Sequence, residues 1–296
     1  MAGNTNGCRR RPLSPGAVAA RTAALLAALL AAGGAVAGGY MQSGGAGYAS
    51  LGLNADLDGG NWEKDGSHVS SSCGAEQSLS AYGEYGLSYY RTVFASTSIT
   101  HKGCPNESAW GLGDTRVGLR GRVDPVSNAL VWEGALILPT SRLGGGARSD
   151  TDAFGASLWL HYNPRPNPYD LALDRDPYNP GWGSGVGVVA WERHLPHELH
   201  GYVGYTYVFS STAGDAGRAP MRLSTDLEAQ TAFARTHATR ARAVDAHDDY
   251  YLATLNFRLT YPLARREALL FSLGVDVAGK NHKDSSALGV SYGFAF

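Results

Sequence analysis

The feature that most limits this chain is period two. Large apolar residues recur at every second position over runs longer than an ordinary globular strand. Leu51, Leu53, Ala55 and Leu57 share one face of residues 48–57. Leu255, Phe257, Leu259 and Tyr261 alternate with Asn256, Arg258 and Thr260. Val117, Leu119 and Val123 alternate with Arg116, Arg120 and Arg122, and Leu130, Trp132, Leu136 and Leu138 form one face of the next run. Similar patterns cover residues 79–87, 93–99, 186–191, 199–209, 269–277 and 288–296. Runs of about nine to twelve residues match a tilted strand crossing a bilayer and exceed the usual globular strand of about five or six.

The second face decides the solvent. It carries Glu84, Asp114, Arg116, Arg120, Arg122, Arg258 and Asp276. So many ionisable groups cannot line a dry core. A soluble barrel puts its apolar set inside, whereas a membrane barrel turns it to lipid and leaves the polar set in the lumen. The expected fold is therefore all-β, a transmembrane antiparallel up-and-down barrel. Gly is 39 of 296 residues, above the usual ~7%, which suits many turns. Ten strands are clear. Residues 154–162 and, more weakly, 223–233 could add a pair, so ten or twelve strands are expected.

Connections alternate in length. Residues 88–91, 124–128, 194–198 and 262–267 are short; residues 58–78, 101–109, 139–183 and 210–249 are long. This places both chain ends with the short turns. Cys73 and Cys104 then fall in two long loops on the opposite rim, flanking one hairpin, where a disulfide between them is geometrically feasible. Tyr89, Tyr90, Tyr261 and Phe296 are expected at the short-turn rim and Phe209, Tyr250 and Tyr251 at the other, as two aromatic girdles.

Residues 1–37 have the form of a signal peptide. Arg9, Arg10, Arg11 and Arg21 precede an apolar run of about ten residues, and Ala35-Val36-Ala37 supplies a small-x-small cleavage pattern. Residues 38–296 would then form the outer-membrane barrel. Removing the peptide leaves 21 basic against 26 acidic residues, a formal charge of −5. No basic face with interleaved aromatics calls for nucleic acid.

The stretches Tyr82-Gly83-Glu84-Tyr85-Gly86-Leu87, Gly111 to Arg120, Leu138-Pro139-Thr140 and Ala278-Gly279-Lys280-Asn281 resemble the outer-membrane channel family named for the meta-pathway of phenol degradation. The proline-rich residues 163–182 and the arginine-rich residues 237–242 depart from it. The resemblance implies passive passage of small solutes, apolar or aromatic ones among them, with no cofactor and no catalysis. A non-conducting barrel serving surface structure, adhesion or polymer export with a partner system is the alternative.

Three motifs compete with that reading. Gly289-Val290-Ser291-Tyr292-Gly293 fits G-x-S-x-G, but only three residues follow, so the strand-to-helix elbow that exposes a nucleophilic serine cannot form. The alternation instead turns Leu288, Val290, Tyr292, Phe294 and Phe296 to lipid, with Tyr292, Phe294 and Phe296 as an assembly signal for the barrel-insertion machinery. His194, His197 and His200 have zinc-like spacing, yet Pro196 interrupts them in a turn. Asp245, Asp248 and Asp249 suit a hard cation or, more simply, a solvated loop. Arg235, His237, Arg240 and Arg242 read as a loop face, with lipopolysaccharide as a further contact. The lumenal charges leave two options open: pairing that plugs the lumen, or a charged constriction that selects solutes.

Overall fold

The computed structural model describes residues 41–62, 68–69, 76–104, 107–123, 129–140, 153–162, 181–192, 196–209, 221–234, 250–264, 266–280 and 282–296. They form β1 (Gly47–Trp62), β2 (His68–Val69), β3 (Glu76–Ser88), β4 (Arg91–Cys104), β5 (Glu107–Leu112), β6 (Thr115–Arg122) and β7 (Leu130–Leu138). Then follow β8 (Gly155–Tyr162), β9 (Gly181–Trp191), β10 (His197–Phe209), β11 (Met221–Ala234), β12 (Tyr251–Ala264), β13 (Glu267–Lys280) and β14 (His282–Ala295).

Each long strand pairs antiparallel with its sequence neighbour, and β14 returns to β1. β5 and β6 both pair with β4 and are two segments of one wall strand, while β2 only extends β1 at Asn61 and Trp62. The wall is thus a closed barrel of twelve antiparallel strands. Closure matters because a membrane interior offers no water to an unpaired strand edge. Among the described residues no helix is long and apolar enough to cross a membrane, so any crossing is made by strands.

The seam is held at the last residue. The amide of Gly47 donates to the Phe296 carbonyl at 2.9 Å and the Phe296 amide donates back at 2.9 Å. The Phe296 ring lies over Gly47, where a Cβ would oblige the ring to move aside.

The faces follow the alternation. Leu51, Leu53, Leu136, Leu158, Trp182, Val186 and Leu288 are exposed on the outside, whereas Glu84, Thr92, Arg120, Glu133, His161 and Asp226 are buried within. Strands of about 13–14 residues, at ~3.3 Å each and a tilt near 40°, rise about 33 Å, enough for the ~25 Å apolar band of such barrels.

Two expectations change. Residues 154–162 and 223–233 lie in β8 and β11, so the longer of the two strand counts holds. Each extra strand splits one long connection and reverses the direction of those between them. The ends of β8 and β9 that flank residues 163–180 therefore lie on the rim of the chain ends, as the pairs Leu130↔Tyr162 and Tyr162↔Ser184 require. The β9–β10 turn, expected on that rim, lies on the opposite one. Phe209 pairs with Met221 and moves to the chain-end rim, while Tyr251, paired with Lys280, stays at the far rim.

Candidate functional site in the lumen

The lumen has two unlike walls. Along β13, β14 and β1 the inward residues include Ser272, Gly274, Gly289, Ser291, Gly293, Ser50, Gly52 and Asn54, with Leu270 opposite Ser291 and the Tyr48 ring over Gly293 as the larger members. Asn54 Nδ2 donates to Ser80 Oγ at 3.2 Å across the β1–β3 pair, so this wall is polar but short in reach. Ser291 belongs to it. Its cross-strand partners are Gly52 and Leu270, so no imidazole or carboxylate stands opposite its hydroxyl in register.

Along β3, β6, β7 and β8 the inward side chains are long and bonded to one another. Arg120 Nη1 donates to Glu84 Oε2 at 2.7 Å and Arg120 Nε to Glu133 Oε2 at 2.6 Å. Arg116 Nη2 reaches Glu133 Oε1 at 3.2 Å and Ser157 Oγ at 2.9 Å. The Arg120 guanidinium also lies over the Phe94 ring, 4.6 Å from its centroid. Local shape permits this: Gly118 has no Cβ to meet Phe94. Taking these charges out of water is costly, and only their mutual pairing offsets it.

The chain ahead of β1 enters this network. Gln42 is 2% exposed. Its amide donates to Thr92 Oγ1 at 2.9 Å and its side chain donates to Glu84. Tyr82 donates its hydroxyl to the other oxygen of the same carboxylate. Residues 41–46 are thereby folded against the inner wall, with Gly45, at φ +83°, making the turn that a side chain would strain.

A band of rings continues the network over β8 and β10. Trp159 lies parallel to His161 with centroids 5.6 Å apart, and the same distance separates Trp159 from His200. His161 Nδ1 and the Tyr202 hydroxyl are 2.9 Å apart. Between these strands β9 supplies Gly187 and Gly185, whose missing Cβ atoms let Trp159 and Tyr202 lie against the wall. His200 Nε2 meets Glu198 at 2.8 Å. A third buried acid, Asp226, accepts from Asn256 at 2.9 Å and lies 3.7 Å from Arg258.

Of the residues expected in the lumen, Glu84, Arg116 and Arg120 come together. Arg122 lies further along β6, its guanidinium over the Tyr89 ring, 3.7 Å from the centroid. Arg258 and Asp276 sit on other strands, Asp276 accepting from the Thr254 hydroxyl at 2.7 Å. Asp114 is set in the break between β5 and β6, where Gly113 takes the place beside Ser98. Glu133, Trp159, His161, Asp226 and Gln42 are central to the lumen and were not expected there.

The histidine triplet does not converge. His197 Nδ1 accepts the Trp191 amide at 3.2 Å at the hairpin, His200 faces inward, and His194 lies outside the described residues. Among the described residues no group of three His, Cys, Asp or Glu side chains could hold a metal ion. Cys73, Asp245, Asp248, Asp249, Arg235, His237, Arg240 and Arg242 lie outside the described residues; of Cys104 only the backbone is described, as the last residue of β4. Tyr292, Phe294 and Phe296 are outward and 39–53% exposed.

No protein-family model matches the chain, and no curated protein matches it. Solved structures do. An outer membrane channel from Pseudomonas putida F1 superposes with a TM-score of 0.61 at 14% identity, over 88% of this chain and 100% of that one. The translocator domain of the autotransporter NalP from Neisseria meningitidis gives 0.48 at 11% identity, over 95% and 97%. A KdgM porin gives 0.45 at 8%, over 83% and 99%. The chain thus has the fold of bacterial outer-membrane β-barrels.

Proposed function

We propose that this chain is a passive channel of the bacterial outer membrane for small solutes. The observation that carries the reading is the inversion of the barrel: leucines and aromatics outside, ion pairs and hydroxyls inside. Such a wall suits lipid around water. The small-residue wall of β13, β14 and β1 offers the route, because its inward side chains reach least into the lumen. Small solutes, membrane lipid and lipopolysaccharide are the partners this role implies, and the export signal and the insertion machinery serve its delivery. The folded protein in a planar bilayer is expected to conduct. A silent bilayer with a folded, heat-modifiable barrel would sink the proposal.

One observation favours the alternative of a non-conducting barrel. The long side chains of β3, β6, β7 and β8 are bonded to one another across the inside of the barrel, with Gln42 joined to them. The same bilayer measurement separates the two readings. Delivery has its own test: deleting Phe296 removes the reciprocal bonds to Gly47 and the last outward aromatic. Outer-membrane levels of the truncated protein should fall sharply, and unchanged levels would refute an assembly role for the C-terminal aromatics.

A further inference from the structure

We propose that β6 carries an anion-binding track, with Arg122 and Arg116 as its open positions and a small carboxylate as its ligand. Three guanidiniums, Arg116, Arg120 and Arg122, stand at inward places of one strand. Arg122 pairs directly with Val131, which is 1% exposed and faces inward, so its side chain starts from the lumenal side. Two carboxylates, Glu133 on adjoining β7 and Glu84 on β3, reach these arginines, and both are committed. Glu84 accepts from Gln42, Tyr82 and Arg120. Glu133 accepts from Arg120 on one oxygen and Arg116 on the other.

The acceptors run out before the donors do. Among the described residues, the buried donors Arg116 Nε, Arg122 Nε and Arg122 Nη1 have no hydrogen-bond partner. Arg122 lies with its face against Tyr89. That contact satisfies the cation in part and none of its N–H groups. Among the described residues, two carboxylates, Glu84 and Glu133, are bonded to the arginines of β6, against three guanidiniums. A guanidinium with open donors in a low-dielectric recess takes a carboxylate in preference to a cation. Arg120, doubly paired, is the fixed rung between the two open ones. A solute anion would pass from one open arginine to the other along the lumen, weakly held at each, as conduction requires.

The electrical consequence rests on the channel reading; the binding consequence does not, so both are measured. Under a KCl gradient across a bilayer, the reversal potential is expected to show chloride preference. Arg116→Gln and Arg122→Gln should each weaken that preference and the double variant should abolish it, while Arg122→Lys retains it. Independently, saturation-transfer NMR with acetate and the full barrel in micelles should show contact that the double variant loses. Arg91→Gln, an exposed position, should keep that contact. Heat-modifiability checks that each variant folds. Cation preference in the parent, or unaltered selectivity in the double variant, overturns the track. A silent bilayer with retained acetate contact overturns the channel and leaves the site standing; loss of acetate contact only on Arg91→Gln overturns the site.

Discussion

The wall of β13, β14 and β1 and the wall of β6, β7 and β8 belong to one barrel and share one alternation, yet they fill the lumen in opposite ways. The first turns mostly Ser, Gly and Asn inward, with Tyr48 and Leu270 its larger members; the second turns Arg, Glu, Trp and His inward. The outer faces of both are apolar. Lipid therefore constrains the two walls alike, and the difference between them is free to serve the interior. The long side chains cannot stand alone in a narrow lumen, so they are bonded across strands: Arg120 to β3 and β7, Arg116 to β7 and β8. The short ones need few partners and leave room. One wall supplies charge and rigidity, the other clearance.

The largest break in this arrangement comes from Glu133. It is 5% exposed and receives both Arg116 and Arg120. Glu133→Ala would leave two guanidiniums short of an acceptor, and removing one partner of a buried ion pair costs about 3–5 kcal/mol. Urea unfolding in detergent should show a loss of that order, with Glu133→Gln intermediate. A loss no greater than for an exposed residue of the small wall would mean the charges are solvated and the wall is not self-supporting.

A smaller effect, on conduction and not on stability, is expected at Ser291. It sits on the small wall between Gly52 and Leu270. Ser291→Trp should reduce single-channel conductance severalfold while leaving the unfolding midpoint nearly unchanged. Equal conductance would place the solute route elsewhere and dissolve the proposed division of labour.

How much of this could be read beforehand depends on where contrast between faces survives. On β6 and β12 the outward residues are apolar and the inward ones charged, so parity alone assigned Arg116, Arg120, Arg122 and Arg258 inward. On β8 the inward Trp159 and His161 are as bulky as the outward Leu158 and Leu160, and the period-two signal fades. β11 showed the alternation more weakly still, and Asp226 was not singled out on it. Placing the rims from ten strands, with these two left optional, then reversed the rims of the connections between them. Partnership was harder still. That Arg120 meets Glu133 follows from the register across residues 123–129, which the alternation does not fix. Gln42 precedes any periodic run, and its place against Thr92 and Glu84 depends on chain folding back through the glycines at positions 44, 45 and 47. The G-x-S-x-G motif resolves as strand, since Gly289 to Gly293 pair in register with both β1 and β13.

Gln42 supplies the smallest test and the one that joins the two walls. It leads directly into β1, part of the small wall, and bonds to Glu84 on the charged side. Gln42→Ala removes that side-chain bond and keeps the backbone bond to Thr92. Glu84 still holds Arg120 and Tyr82, so no charge is left uncompensated. A single hydrogen bond lost in this way costs about 1 kcal/mol. The unfolding midpoint should drop slightly and the open-channel current should rise, because residues 41–46 then lose one tie to the inner wall. A fall in current would show the opposite coupling: that Gln42 holds Glu84 clear of the route, and that the charged wall, once released, closes over the small one.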